Sequence, residues 1–279
     1  MEQAEMIAAN RANWDARVPV HLDGGYDLDA LRAGQQRLAD FEYAAVDVRD
    51  RDVLHLQCHL GTDTVCLARH GARAVGLDLS PASVAAARAL AAECGVEVEY
   101  VESDVEHAVA ALGGRRFDVV YTGKGALCWL PDLTAWARVV ADLLRPGGVL
   151  HVVEFHPLMN AAADEQAWPG VVLDWPYLPS GAIRVESAQS YEGTGELAAP
   201  VSYEWTHGIG TVIEAVTRAG LRLTSFAEHD VSPWRRWPDM AAAGDGWWTW
   251  PAGVPRLPLL YSLRAQAPDR DQPRVSRPA

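Results

Sequence analysis

Residues 53–78 read VLHLQCHLGTDTVCLARHGARAVGLD, and this stretch decides the fold of the chain. The apolar run 53–56 is typical of a β-strand that is buried on both faces. A tight turn follows, and we expect a helix to begin near Thr62 and to stop at Gly71, before a second strand that ends at Asp78. In a parallel βαβ unit the turn and Asp78 would lie together at the carboxyl edge of the sheet, where α/β proteins bind ligands.

The turn and its acid indicate the kind of ligand. An acidic side chain about 20 residues beyond the turn is placed to accept both hydrogen bonds of a ribose diol. A dinucleotide site needs small residues at three places near the pyrophosphate, but only Gly61 remains here, with Gln57 and His59 at the other places. S-adenosylmethionine (SAM) carries adenine and ribose without a phosphate, so it tolerates a bulkier turn. Two alternatives stay open: a βαβ unit with no nucleotide at its turn, and a dinucleotide-dependent oxidoreductase.

Composition narrows the class of protein. With 279 residues the chain can bury one large core with insertions, or a core domain with a lid. A formal net charge of -13 argues against nucleic acid as a partner, because phosphate binding needs a basic surface. No run of about 18 apolar residues is present to span a membrane, and the polar N-terminus does not resemble a secretory signal. The four cysteines form no CxxC pair and are expected to be buried thiols, so we expect a cytoplasmic protein.

Residues 1–50 precede the first core strand and are expected to form a helical unit. Helical spacing of apolar residues predicts one helix over 2–17 and a second over 29–40, with a loop over 18–27 between them. The unit is either a flap packed on the core or a lid that closes over the cofactor. In the second case the lid would contribute Trp14, Arg17, His21 and Tyr26.

A second acid follows the third predicted strand. Ser80 and Pro81 begin a helix, a strand follows over 96–101, and Asp104 comes directly after that strand. A carboxylate there can accept the amino hydrogen of adenine while the N–H of Val105 serves a ring nitrogen. The alternative is that Asp104 caps a helix over 105–112, and both roles are compatible.

Three further segments complete the parallel part of the predicted sheet. The sequence FDVVYT at 117–122 predicts a fourth strand, and its glycine-rich loop 122–125 would lie beside the sulfonium end of the ligand. An amphipathic helix is predicted over 133–144. It stops at the turn RPGG, 145–148, and a fifth strand follows over 149–155.

This order of elements, the paired acids Asp78 and Asp104, and the sequence LLRPGG at 143–148 resemble the class I SAM-dependent methyltransferases of the bacterial small-molecule type. The resemblance implies an α/β fold with a Rossmann-like, doubly wound, mostly parallel seven-stranded sheet, carrying an N-terminal helical lid and aromatic-rich insertions. It implies SAM as cofactor and methyl transfer by in-line displacement to an N, O, S or C nucleophile of a small-molecule acceptor. The SAM-binding domain would span 51–266, and the protein would be a monomer or homodimer.

The resemblance also implies a set of cofactor-binding residues around the turn and the strand ends. They are Trp14, Gln57, Cys58, His59, Gly61, Thr62, Asp63, Asp78, Leu79, Asp104, Val105, Thr122 and Gly123. The family usually has an acid where His55 stands and glycines where Gln57 and His59 stand. We therefore expect Asp63, or groups from the N-terminal helices, to hold the methionyl ammonium.

The C-terminal half is expected to cover the acceptor. An aromatic-rich insertion spans 157–205, the segment 204–207 leads into a helix that ends at Gly220, and strands are predicted over 221–228 and 257–265, the last antiparallel by analogy with the family. A second insertion, 230–256, carries five tryptophans, and a long connection of this kind is usually functional or disordered. Residues 267–279 are expected to form a flexible tail.

A general base is needed only if the acceptor loses a proton. His156 is the first candidate because it follows the fifth strand and titrates near neutrality; His207 and Tyr26 are weaker candidates. Each histidine is otherwise a hydrogen-bonded wall of the pocket, and no metal is expected. A SAM-binding protein without methyl transfer, such as a pericyclase-like scaffold, remains the alternative function.

Overall fold

The computed structural model describes residues 2–24, 26–166 and 168–269. Its helices are α1 Gln3–Asp23, α2 Leu28–Arg32, α3 Asp40–Ala45, α4 Thr62–Arg69, α5 Pro81–Glu93, α6 Ala108–Ala111, α7 Leu133–Leu143, α8 Pro157–Ala161 and α9 Ile209–Arg218, with a 3-10 helix at Leu127–Trp129. Its strands are β1 Asp52–Leu56, β2 Arg73–Asp78, β3 Val98–Glu102, β4 Phe117–Thr122, β5 Leu144–Phe155, β6 Ala182–Glu186, β7 Val201–Trp205, β8 Arg222–His229, β9 Val231–Ser232, β10 Ala241–Gly244, β11 Trp247–Thr249 and β12 Leu260–Gln266.

Seven strands form the main sheet in the order β3-β2-β1-β4-β5-β12-β8. Strand β1 pairs in parallel with β2 and β4, so that Val53 lies between Ala74 and Val119. Strand β12 is antiparallel to both of its neighbours. This arrangement confirms the expected doubly wound, mostly parallel sheet, including its antiparallel strand. The carboxyl ends of β1, β2 and β4 meet at one edge, where the turn after β1 lies.

Both faces of the sheet are covered, because successive residues of the buried strands point to opposite sides. Leu54 and Leu56 pack with α7 and α9 in one cluster of buried apolar side chains. Val53 and Val119 pack with α4 and α5 in a second cluster on the other face. Ser80 caps α5 by accepting the N–H of Ser83 at 2.9 Å, as its sequence predicts.

The second insertion folds as a small unit with its own core. Strands β9, β10 and β11 form a three-stranded sheet, and Trp237 stacks on Trp250 with ring centroids 5.2 Å apart. Trp168 meets both rings edge-on, and both Trp237 and Trp250 are buried. Most tryptophans of this insertion are therefore packing residues, and Trp234 is the one of its five that lines the cavity described below.

Several predicted boundaries are wrong. Helix α1 contains Pro19 and continues to Asp23, through the segment predicted as a loop. The expected helix over 29–40 is replaced by two short ones, α2 and α3, and α6 keeps only the residues 108–111 of the predicted helix 105–112. Residues 204–205, expected only to lead into a helix, form the end of β7 and pair with β6, and α9 begins at Ile209.

The structure also differs from the prediction at the start of β5 and in the expected C-terminal tail. Strand β5 begins at Leu144, with a register irregularity across the RPGG segment before pairing resumes at Val149. In the expected tail, the N–H of Ala267 donates to Gly148 and Ala267 is buried, whereas 270–279 lie outside the described residues. Among the described residues, no helix combines the length and the apolar character needed to cross a membrane.

Candidate functional site

The turn after β1 keeps a left-handed backbone without its usual glycines. Gln57, His59 and Gly61 have φ of 56°, 47° and 74°. For a non-glycine residue this conformation costs about 1–2 kcal/mol. Backbone bonds hold the turn in place, because the N–H of Cys58 donates to Leu77 at 3.1 Å and that of Gly61 donates to Cys58 at 2.8 Å. Only at Gly61 is glycine required by space, since an added Cβ would lie 2.4 Å from the hydroxyl of Tyr100.

Asp78 joins this turn to the end of β2. Its Oδ2 accepts the N–H of His59 at 2.8 Å and its Oδ1 accepts the N–H of Ser80 at 2.9 Å. Burial raises the pKa of Asp78 to about 6, although these backbone donors oppose the rise. Each carboxylate oxygen keeps a free lone pair, so Asp78 can still accept hydrogen bonds from a ligand.

A cavity of about 540 Å³ opens at this edge of the sheet, between the N-terminal helices and the insertions. Of the residues expected from the sequence, those that line it are Trp14, Arg17, Tyr26, Gln57, Cys58, His59, Thr62, Asp63, Asp78, Leu79, Gly123 and His207. Its far part has an apolar and aromatic wall formed by Trp175, Pro176, Ile183, Val185, Trp205, Pro233, Trp234 and Tyr261. The volume falls within the range of small-molecule sites.

Four expected cofactor residues lie outside this lining. The carboxylate of Asp104 accepts the backbone N–H of His107 at 2.9 Å and its Nδ1–H at 2.7 Å, and Val105 is buried in the core. Gly61 starts α4, and Thr122 is buried at the end of β4. The adenine contact of Asp104 and Val105 therefore stays a prediction, and the cap-like role of Asp104 is the one visible in this structure.

The three candidate bases are all engaged in hydrogen bonds. His156 lies outside the cavity lining, and its Nε2 bonds to Glu228 at 3.0 Å while its Nδ1 accepts the N–H of Leu158. His207 lines the cavity, but its Nε2 donates to the carbonyl of Leu130 at 2.8 Å. Burial lowers the pKa of His156 and of His207.

Tyr26 lines the cavity with its hydroxyl 2.6 Å from that of Tyr191. Burial raises the pKa of Tyr26 well above its usual value, and its neighbour Tyr191 adds to the rise. A phenol with so high a pKa is a poor proton acceptor at neutral pH. Its hydroxyl is instead suited to close the cavity between the N-terminal unit and the first insertion.

Helix α1 covers the turn and carries a cation in an aromatic setting. The ring centroid of Trp14 lies 4.8 Å from that of His59 and 5.1 Å from that of Trp129. The Arg17 guanidinium lies 5.0 Å from the Trp14 ring centroid and 5.5 Å from the Trp129 and Tyr191 centroids. His21 and Tyr26 lie beside these residues, since both of their rings also contact the ring of His59. The lid interpretation stays a prediction.

A buried ion pair beside the cavity was not expected from the sequence. Lys124 Nζ donates to Glu42 at 2.7 Å and lies 3.5 Å from Asp63, and Glu42 also accepts the hydroxyl of Tyr121. Burial alone would lower the pKa of Lys124, but the charges of Glu42 and Asp63 outweigh it and raise that pKa. Glu42 and Lys124 are 82 residues apart, so no local pattern could have paired them.

Glu154 at the end of β5 was also missed. Its carboxylate accepts the backbone N–H groups of Gly125, Ala126, Leu127 and Phe155, and burial raises its pKa against these donors. It thereby holds the loop after β4 against β5. A single acid within the apolar run VVEF was the available signal for this residue.

The residues present fit a SAM molecule. Gln57 donates its Nε2 to the carbonyl of Ala126 at 2.9 Å, while its Oε1 is buried without a hydrogen-bond partner among the described residues. Gln57 and Asp78 both line the cavity. A buried acceptor with no partner is costly unless a ligand satisfies it, and an ammonium group supplies the missing donor.

Comparisons with known proteins identify the class of protein. A family profile described as a methyltransferase domain matches residues 53–148. A ubiquinone biosynthesis O-methyltransferase of Methylobacterium sp. (strain 4-46) is 29% identical over 216 residues, which are 72% of this chain and 83% of that protein. A protein of the same name from Methylobacterium nodulans is 33% identical over 129 residues, 46% of this chain and 50% of that protein. The chain thus matches about half the length of this second relative.

The fold recurs in solved structures. The crystal structure of a SAM-dependent methyltransferase from Mesorhizobium loti superposes with a TM-score of 0.54 at 23% identity, covering 88% of this chain and 99% of that one. At this identity the likeness concerns the fold. The methyltransferase-domain match and the similar O-methyltransferases, together with this shared fold, identify the chain as a SAM-dependent methyltransferase with SAM as its methyl donor.

Proposed function

We propose that this methyltransferase acts on a small apolar molecule, which binds in the far part of the cavity with its nucleophile facing the methyl group. The observation that carries the proposal is the continuity of one cavity from Asp78 to the aromatic wall of the insertions. SAM supplies an electrophilic methyl group. The residues of the chain position the two reactants, for which effective molarities allow about 7–11 kcal/mol of the barrier.

We assign the ribose hydroxyls to Asp78 and the methionyl ammonium to Gln57 Oε1, with Asp63 nearby. Arg37 also lines the cavity, and its guanidinium takes part in no hydrogen bond within the described residues. It is therefore our candidate for the methionyl carboxylate. Support for this orientation is that the acceptors Asp78 and Gln57 flank the turn at 57–61.

The names of the two relatives support oxygen as the methylated atom, since both are O-methyltransferases. The apolar far wall supports an aromatic or otherwise flat acceptor over a charged one. We also propose that the N-terminal unit, residues 1–50, acts as the lid. The four free cysteines support a reducing compartment such as the cytoplasm.

The first experiment is calorimetry with S-adenosylhomocysteine (SAH), the demethylated product. The wild-type chain should bind SAH, and Asp78→Ala should weaken binding at least about 10-fold, because it removes hydrogen bonds to a charged acceptor worth about 1.5–3 kcal/mol each. Asp104→Ala is the matched comparison. An equal loss in Asp104→Ala would establish the adenine contact expected from the sequence, whereas unchanged binding would exclude it.

The second experiment is turnover of methyl-labelled SAM with a panel of phenols, amines and thiols. Methylated product from phenols would support the proposal. If the protein binds SAH tightly and methylates no member of the panel, the SAM-binding scaffold without transfer becomes the better description.

A further inference from the structure

The cavity holds a carboxylate that the fold does not use. Glu204 lies in β7 and lines the cavity, and its side chain takes part in no hydrogen bond or ion pair within the described residues. The neighbouring carboxylates of Asp63, Asp78 and Glu154 all have partners. Glu192 also lines the cavity without a partner, but it is less buried than Glu204. Glu204 is thus a partly buried acid in the cavity lining, and its carboxylate has no hydrogen-bond or ion-pair partner within the described residues.

Glu204 stands between apolar side chains and the loop after β4. Ile183 lies directly across from it in β6, and Ile183 and Val185 line the same cavity. Strand β7 packs on the 3-10 helix Leu127–Trp129, and the charge of Glu204 adds to burial in raising the pKa of the Cys128 thiol. That helix comes shortly after the loop 122–125, which we expect beside the sulfonium. The carboxylate therefore lies near the expected reaction centre.

The surroundings of Glu204 make it a stronger base than an ordinary carboxylate. Burial raises its pKa, and the positive charge of Arg17 opposes the rise without cancelling it. Arg17 is held by the rings of Trp14, Trp129 and Tyr191. A carboxylate with a raised pKa accepts a proton more readily than a solvated glutamate.

We propose that Glu204 is the general base of the reaction and that the acceptor is a neutral hydroxyl compound with a flat apolar body. The hydroxyl oxygen forms the new C–O bond, the C–S bond breaks with its electron pair remaining on sulfur, and the hydroxyl proton moves to a carboxylate oxygen of Glu204. The products are a methyl ether, SAH and neutral Glu204, which returns its proton to water. This inference rests on the proposed function, and it names the substrate class and the proton acceptor for that site.

Two methyl acceptors of the same shape distinguish a general base from a residue with a purely structural role. The hydroxyl of 2-naphthol is neutral at pH 7.5, whereas 2-naphthalenethiol is largely ionised at that pH and needs no base. Glu204→Gln keeps the shape of the side chain and removes its basicity. We expect this variant to lose about 10²–10⁴-fold in kcat/KM with 2-naphthol and to stay within about 3-fold of wild type with 2-naphthalenethiol.

The control variant is Glu186→Gln, at an exposed position of β6 where Glu186 pairs with Arg184. It should match wild type with both probes. Glu204→Gln should also bind SAH like wild type, which shows that its cofactor site is intact. If Glu204→Gln keeps its rate with 2-naphthol, or loses activity equally with 2-naphthol and 2-naphthalenethiol, the inference is overturned while the proposed function stands. If wild type does not bind SAH, the proposed function fails and this inference fails with it.

Discussion

Replacing Lys124 by methionine should destabilise the protein strongly, because it leaves two carboxylates without their shared cation. Lys124 bonds to Glu42 and lies 3.5 Å from Asp63, and the exposed fractions of the Lys124 and Glu42 side chains are 9% and 1%. Removing one member of a buried ion pair costs about 3–5 kcal/mol, since the remaining charge is buried without compensation. We expect a loss of that size in the free energy of unfolding.

The other side of the pair should respond differently. In Glu42→Gln, Lys124 keeps Asp63 as a partner and Tyr121 keeps an acceptor, so the loss should be smaller than in Lys124→Met. The double variant Glu42→Gln/Lys124→Met should be more stable than Lys124→Met alone, because it removes the more deeply buried unpaired charge. The expected order of stability of the three variants thus follows from one cation shared by two acids.

Chemical denaturation followed by circular dichroism measures these differences. The control is Arg218→Met, which breaks the exposed i,i+4 pair of Arg218 with Glu214. It should lose no more than about 0.5 kcal/mol, as exposed helical pairs contribute little. If Lys124→Met is no less stable than the control, or no less stable than Glu42→Gln, the reasoning about the shared cation is refuted.

Three further predictions concern the turn, its pH dependence and the loop after β4. In calorimetry, the affinity for SAH should fall about 10-fold from pH 7.5 to pH 5. Asp78 has a pKa of about 6, and its carboxylate accepts both ribose hydrogen bonds only when it is ionised, above that pKa. An affinity that does not change with pH would contradict the ribose assignment. Glu154→Gln should lower the melting temperature and weaken SAH binding, because two of the four N–H groups lose their acceptor at about 1–3 kcal/mol each; unchanged values in both assays would contradict its role. Gly76→Ala should lower the free energy of unfolding by about 1–3 kcal/mol, because the new Cβ would lie 2.5 Å from Cδ1 of Tyr100. In Gly210→Ala, in α9, the new Cβ meets no atom within 4 Å, so this variant should be more stable by up to about 1 kcal/mol. Equal melting temperatures for the two glycine variants would refute the packing argument.

The main sheet was predictable because its signals are local. The strands around 53–56, 73–78 and 117–122 are short, mostly apolar runs followed by a turn or ended by an acid, and this pattern also indicates their place in a parallel sheet. The cap Ser80 likewise lies next to the helix that it starts. Boundaries failed where tertiary contacts outweigh the local pattern, as over 29–40, where two short helices, α2 and α3, replace the predicted one.

The turn after β1 and the acid at the end of β2 were the most predictable part of the cavity lining. Asp78 and the turn were found because topology brings all strand ends to one edge. Glu42, Arg37 and Glu204 come from helices, loops and a hairpin whose distance from the sheet edge cannot be obtained from spacing. The tryptophans of the second insertion show the same limit: their number suggests a ligand, yet Trp237 and Trp250 form a core of their own.

The unusual turn and the N-terminal helix are best understood as one unit. His59 bonds through Nδ1 to Ser83 at 2.9 Å and through Nε2 to His21 at 2.8 Å, and His21 bonds in turn to Ser190 at 2.6 Å. Burial and the charge of Arg17 lower the pKa of His21 to about 3, so both rings stay neutral with one donor and one acceptor each, as such a chain requires. A glycine at 59 would relax the backbone but remove the link between α1, α5 and the first insertion. The departure from the glycine pattern is therefore the means by which helix α1 and the first insertion are fastened to the turn after β1.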